Sequence, residues 1–200
     1  MVERQLRRRG IRDERVLAAM GHVPREAFVP EELQDEAYTD MALPIGHGQT
    51  ISQPFVVATM LALARPAPGE QALDIGTGSG YAAALLAALG ADVVSVERIA
   101  PLAATARDAL EHVTGDRVEV RVGDGRLGAP DRAPFDVVMV AAAAPEVPPA
   151  LVEQLADGGR LVMPVGGAGG QRLMLLTREG PVVRDRQSLA CRFVPLVAGP

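Results

Sequence analysis

The sequence predicts an α/β fold: a doubly wound, mostly parallel Rossmann-like sheet, preceded by a helical segment and closed by antiparallel strands. Three observations predict it. From Glu70 onward, short apolar runs alternate with helical patterns, the signature of parallel strands joined by crossover helices. The first of these runs leads into a glycine-rich loop, Gly76-Thr77-Gly78-Ser79-Gly80. The last two runs are separated by a turn at Glu179-Gly180-Pro181 rather than by a helix, as antiparallel neighbours allow.

Taken in order, Asp13–Met20 places Val16, Leu17 and Met20 at helical spacing, and Pro24, Pro30 and Pro44 then punctuate a long connection. A second helix is expected over Gln53–Ala64. It stops before Pro66-Ala67-Pro68-Gly69, the clearest internal boundary. Beyond it, Gln71–Ile75 reads as a strand, Tyr81–Leu89 as a helix ended by Gly90, and Asp92–Val96 as a second strand. Pro101 opens a helix carrying Leu102, Ala106, Leu110 and Val113, followed by strand Arg117–Val122. Phe135–Val140, a short helix at Pro149–Leu155 and Arg160–Val165 complete the alternation, and Arg172–Thr177 and Cys191–Val197 read as the closing strands. Two hundred residues make one domain the default. Within it, 1–68 is the helical segment, 69–165 the α/β core and 166–200 the C-terminal strands. The sequence stops at Pro200, soon after the last run, and a longer C-terminal lid is not expected.

Composition narrows the function classes. Hydrophobic residues make up 48% and charged residues 22%, which argues against disorder. Alanine contributes 32 residues; all 20 basic residues are arginine, and lysine and asparagine are both absent. A GC-rich genome accounts for that pairing. No apolar run approaches the roughly 18 residues of a membrane span. The six arginines of Met1–Arg15 are diluted by Glu3, Asp13 and Glu14 and have no apolar h-region after them, unlike a transit or signal peptide. A net charge of −5 and six aromatic residues offer neither a phosphate-binding stripe nor a base-stacking platform. Cys191 stands alone, and His22, His47 and His112 lack metal-ligand spacing. The expectation is a cytoplasmic monomer with no metal, nucleic-acid or membrane partner.

The glycine loop carries the chemistry. Glycines admit positive φ and close approach of a ligand to the backbone, and the helix beyond them offers free N–H groups. Glu97 ends the next strand, placed to meet ribose hydroxyls, and Asp124 lies in Gly123-Asp124-Gly125 after the third. Dinucleotide enzymes favour G-x-G-x-x-G, whereas here Asp74 precedes a G-x-G-x-G loop and Tyr81 stands where the third glycine would fall. A carboxylate ahead of the loop repels a pyrophosphate but suits a ligand with a cationic end and a ribose, such as S-adenosyl-L-methionine. A nicotinamide-dependent oxidoreductase, a methyltransferase with another acceptor and a non-catalytic binding module are the rival readings.

No obvious base accompanies the loop, which suits an acceptor already ionised at pH 7, such as a carboxylate with a pKa of about 4. The candidate for positioning one is Gly48-Gln49-Thr50-Ile51-Ser52-Gln53-Pro54. Read locally, Ser52 is also a helix N-cap ahead of Pro54. His47 either lines a site or steadies its loop by a hydrogen bond.

Wider motifs bear on that choice. Val23-Pro24-Arg25-Glu26-Ala27-Phe28-Val29-Pro30, Leu43 through Pro54, Ile75 through Tyr81, Val122-Gly123-Asp124-Gly125, Ala142-Ala143-Ala144-Pro145, Gly158-Gly159-Arg160-Leu161-Val162 and Arg192-Phe193-Val194-Pro195-Leu196 occur in this order. Together they resemble the protein-L-isoaspartate O-methyltransferases over nearly the whole chain. The Gln-Thr-Ile-Ser-Gln-Pro string is the most specific of them, and the glycine loop is shared by many methyltransferases. The resemblance implies methylation of L-isoaspartyl carboxylates in damaged proteins and peptides with S-adenosyl-L-methionine, followed by unassisted collapse to a succinimide. It implies that Ser52 is the active-site hydroxyl and that Thr50, Ile51 and Gln53 belong to the loop over the cofactor. Gly76, Gly78 and Glu97 fall at cofactor positions, with Asp124 and Gly125 beside the adenine; Asp74, Thr77 and Gly80, of the same loop, are expected to bind the cofactor with them. Val194 and Leu196 fall in a stretch near the bound peptide, and His47 is a further candidate for binding it. Two positions depart from common members: Ala82, where glutamine is frequent, and Ala141, where threonine is.

Overall fold

The computed structural model describes residues 1–167 and 169–199; Ala168 and Pro200, both within the expected C-terminal segment, lie outside them. The chain opens with a π-helical turn, Val2–Leu6, and a 3-10 turn, Arg7–Arg9. Leu6 and Ile11 are buried, so the arginine-rich start is packed into the fold. Helix α1 (Glu14–His22) is capped by Asp13, whose carboxylate accepts the Arg15 and Val16 N–H groups. Two 3-10 turns, Arg25–Phe28 and Glu31–Glu36, lead to a small hairpin of β1 (Leu43–Pro44) and β2 (Thr50–Ile51). Helix α2 (Pro54–Ala64) follows at once.

The remaining elements are β3 (Gln71–Ile75), α3 (Tyr81–Ala88), β4 (Asp92–Glu97), α4 (Ala100–Thr114), β5 (Val118–Val122), β6 (Phe135–Val140), α5 (Pro149–Glu153), β7 (Leu155–Gly167), β8 (Gly170–Glu179) and β9 (Val182–Cys191). The seven strands of the main sheet lie in the order β5-β4-β3-β6-β7-β8-β9. The pairs from β5 through β7 are parallel, and β8 and β9 add antiparallel. Both faces of the sheet are covered, so its central strands are apolar on both sides. Alternation divides them: Ala72, Val93, Val137 and Met139 join the core under α1–α4, while Leu73, Ile75, Val94, Val96, Val138 and Val140 join the core on the α5 face.

Strand order reverses at β3, since β4 and β5 are added on one side of it and β6 on the other. The crevice beyond the C-terminal ends of β3 and β6 is therefore the switch point at which such sheets bind ligands. The Ala141 N–H donates to the Ile75 carbonyl at 2.8 Å and closes those two strand ends together.

The tail departs from expectation. The last strand is Val182–Cys191, and the expected strand Cys191–Val197 instead leaves the sheet after Cys191. That segment crosses back to the crevice, where Val194 accepts from Ala143 at 2.8 Å and Leu196 donates to Ala143 at 2.7 Å. Pro195, at the centre of this contact, has no N–H with which to continue a ladder. No helix among the described residues is long and apolar enough to cross a membrane.

Candidate active site

The glycine loop follows β3 directly and is held by its neighbour strand. Glu97, buried at the end of β4, accepts the Gly78 N–H at 2.9 Å through one carboxylate oxygen and the Ile99 N–H at 2.9 Å through the other. Gly78 has φ +55, and a Cβ there would stand 3.2 Å from Ile45 of the β1–β2 hairpin. The loop can therefore lie close under the hairpin only without a side chain.

Asp74 is paired in register with Ser95 on β4 and Met139 on β6, which puts its carboxylate inside the protein. The Ser95 hydroxyl donates to one oxygen at 2.7 Å and in turn contacts the Thr77 hydroxyl at 2.6 Å. The other oxygen, Oδ1, is buried with no partner among the described residues. Burial, opposed by the Ser95 hydrogen bond and reinforced by the Glu97 charge, pushes the Asp74 pKa up to about 6. Ser95 is a site residue that the sequence reading passed over. Its signal was a lone hydroxyl in the otherwise apolar run Val93-Val94-Ser95-Val96.

Three cavities meet at the switch point. One of about 200 Å³ is lined by Thr50, Gly76, Gly78, Glu97, Gly125 and Ala141, together with Val194 and Leu196 from the tail. A second, of about 290 Å³, is lined by Ser52, Gln53, Thr50, Ala141, Val194 and Arg192 among others. A small space of about 40 Å³ between α2 and β3 is lined by Ile51, Ser52, Asp74 and Tyr81. Thr50 and Ala141 line all three, so a ligand in the first cavity and one in the second would meet across these two residues.

Some expected site residues stand elsewhere. Ser52 is not the N-cap of α2. Gln53 occupies that position without a side-chain cap, and the Asp40 carboxylate accepts the Phe55 N–H at 3.2 Å instead. Gln53 donates to the Asp40 carbonyl at 2.8 Å, so Asp40 fastens the chain at two points just after Ser52. His47 is exposed at the hairpin tip, with φ +52, and lines none of the three cavities. Thr77 sits behind the glycine loop against Ser95, and Gly80 faces α4, where a Cβ would meet Leu110 at 3.0 Å. Asp124 is turned back on its own strand end: Arg126 chelates its carboxylate and holds its pKa well below the usual range. Its neighbour Gly125 faces the first cavity and lies so close to Ile75 that a Cβ would collide with that side chain.

The first cavity suits a ligand with a ribose and a cationic end. Glycines 76, 78 and 125 leave its floor bare and Glu97 lines it, while Asp74, with one unpartnered oxygen, lines the small space that adjoins it at Gly76. Among the described residues, no three His, Cys, Asp or Glu side chains group as metal ligands would.

Comparison with known proteins agrees with this geometry. A protein from Koribacter versatilis named protein-L-isoaspartate O-methyltransferase is 52% identical over 197 residues, which cover 98% of this chain and 89% of the relative. A solved structure of the same name is 29% identical with a TM-score of 0.88; the match takes in 98% of this chain and 65% of that longer one. A Plasmodium falciparum protein described as a beta-aspartate methyltransferase, solved in complex with S-adenosyl-L-homocysteine, is 26% identical with a TM-score of 0.87, covering 98% of this chain and 96% of that one. The family model for protein-L-isoaspartate(D-aspartate) O-methyltransferase matches residues 1–200, and the chain belongs to that family.

Proposed function

We propose that this protein methylates the free carboxylate of L-isoaspartyl residues in damaged proteins and peptides, using S-adenosyl-L-methionine, and so starts their repair through a succinimide. The observation that carries the reading is the placement of Ser52: it lines the second cavity, which meets the glycine-floored first cavity across Thr50 and Ala141. When bound, S-adenosyl-L-methionine supplies a methyl group on a positively charged sulfur. In this reading Gly76, Gly78 and Gly125 leave room for its adenosine, Glu97 receives the ribose hydroxyls, and Asp74 faces the cationic part. Thr77, Gly80 and Asp124 act one step back: Thr77 supports the Asp74–Ser95 pair, Gly80 lets α3 pack on α4, and Asp124 shapes the turn that presents Gly125.

The acceptor is ionised at neutral pH, since a carboxylate ordinarily titrates near pH 4. No residue has to remove a proton, and the chain's work is alignment and exclusion of water. The Ser52 hydroxyl donates to one oxygen of the acceptor carboxylate and leaves the other facing the first cavity. Ile51, buried beneath it, and Gln53, tied to Asp40, keep the loop backbone in place. Val194 lies on the boundary between the two cavities and Leu196 in the first, so both tail residues bear on the cofactor side as well as on the peptide. His47, exposed at the hairpin tip, is left out of the reacting site. The same reading makes the working unit a cytoplasmic monomer acting on isoaspartyl proteins and not on nucleic acid or a membrane; a single cysteine suits a reducing compartment.

Ser52→Ala tests the assignment. Turnover on an isoaspartyl peptide is expected to fall by about 10- to 100-fold, as loss of an aligning contact does, while S-adenosyl-L-homocysteine binds as it does to the parent. Equal turnover in the two proteins would remove the serine from the mechanism.

A further inference from the structure

Arg25 is wholly buried, yet its guanidinium is matched with carbonyls and a ring face rather than with a carboxylate. Its Nε donates to the Ala37 carbonyl at 2.8 Å and its Nη2 to the Ser52 carbonyl at 2.8 Å. Its Nη1 has no partner among the described residues. The guanidinium carbon lies 4.8 Å from the centroid of Tyr81, the residue that opens α3 directly after Gly80. Tyr81 is held from another side by Phe28, with ring centroids 5.6 Å apart. A single side chain thus touches the segment after the Glu31–Glu36 turn, the backbone of Ser52 and the first residue behind the glycine loop.

Burying a cation with only part of its donors satisfied is costly, and an unbranched apolar side chain would fill the space without that cost. What an apolar side chain lacks is a rigid planar fork that reaches two carbonyls in different directions while lying against an aromatic face. We propose that Arg25 is the positioning residue of the aligning serine: it fixes the Ser52 backbone against Tyr81, so that the serine hydroxyl and the glycine loop keep one relative placement. The proposal rests on the role given to Ser52 above. Lysine cannot replace it, because one ammonium on a flexible stem does not span both carbonyls and lie against the ring.

The test is a double-mutant cycle of Arg25→Lys and Ser52→Ala, reading kcat and KM on an isoaspartyl peptide and S-adenosyl-L-homocysteine affinity by calorimetry. Arg25→Lys alone is expected to lower kcat by about 10-fold or more, the scale of a small misplacement of a reacting group, with KM and cofactor affinity within about threefold. In the Ser52→Ala background the same change is expected to cost less than about twofold, because the hydroxyl it positions is gone. Equal fold losses in both backgrounds would overturn the proposal while leaving Ser52 its role. So would parent kcat in Arg25→Lys, or a loss confined to cofactor affinity or thermal stability. If Ser52→Ala alone costs nothing, the serine's role and this proposal fall together. Should Arg25→Lys not fold, Tyr81→Leu keeps the charge and both bonds to carbonyls but removes the ring with its buried hydroxyl. Taken through the same cycle it is expected to show the same non-additivity at smaller size, and additivity there would overturn the proposal.

Discussion

Glu97 and Gly78 are joined by a hydrogen bond of 2.9 Å from the glycine N–H to the carboxylate, so the end of β4 holds the glycine loop open from beneath. Glu97→Gln keeps the shape but loses the charge and replaces one acceptor oxygen with a donor. The freed N–H is expected to cost about 1 kcal/mol of stability. S-adenosyl-L-homocysteine affinity is expected to fall further, by about tenfold or more, as a charge-assisted contact to a hydroxyl is weakened. Calorimetric titration beside urea unfolding of the free protein separates the two effects.

Gly80 combines φ +97 with a Cβ position 3.0 Å from Leu110. Gly80→Ala therefore meets both backbone strain and a crowded α3–α4 contact, and a loss of about 1–3 kcal/mol is expected. The midpoint of urea unfolding is the measure; an unchanged midpoint would show that α4 gives way freely.

Asp74 titrates near pH 6 because it is buried, so it is a carboxylate above that pH and neutral below it. Affinity for a cationic ligand is accordingly expected to fall as pH drops through about 6. Binding of S-adenosyl-L-methionine should weaken more between pH 7.5 and 5 than binding of S-adenosyl-L-homocysteine, whose sulfur is uncharged. Asp74→Asn should abolish the difference. Stability carries the opposite sign: the folded state holds this proton more tightly, so its contribution falls as pH rises from the ordinary value of 3.8 to about 6.

Asp40 caps α2 from 15 residues away in the chain, and it also pairs with Arg9, which lies over the Phe55 ring. Asp40→Ala is expected to cost about 1 kcal/mol, the usual worth of a cap. Ser52→Ala should leave stability within about 0.5 kcal/mol. Thermal unfolding of the two variants distinguishes a capping serine from one free to serve a ligand.

That cap also marks where reading the sequence stops. Asp40 and Phe55 meet only through the tertiary fold, so local sequence pointed to Ser52 as the cap. The strands Gln71–Ile75 and Phe135–Val140 were legible to the residue because each is a short, mainly apolar stretch, nearly all of it buried. Strand β9 was not: most of its residues are exposed and none is buried, and Arg184, Asp185 and Arg186 give an edge strand the look of a loop. In the site, Gly76, Gly78 and Glu97 could be grouped beforehand because each ends a strand or forms a glycine turn, while Thr50 and Gly125 joined them through the family resemblance. Arg25 and Ser95 could not, since their partners are set by packing and register.

The most direct test of the account is methyl transfer from S-adenosyl-L-methionine to two peptides of identical composition, one containing L-isoaspartate and the other ordinary aspartate at the same position. The account predicts methyl ester formation on the first and essentially none on the second. Equal transfer to both, or transfer to neither, would contradict it.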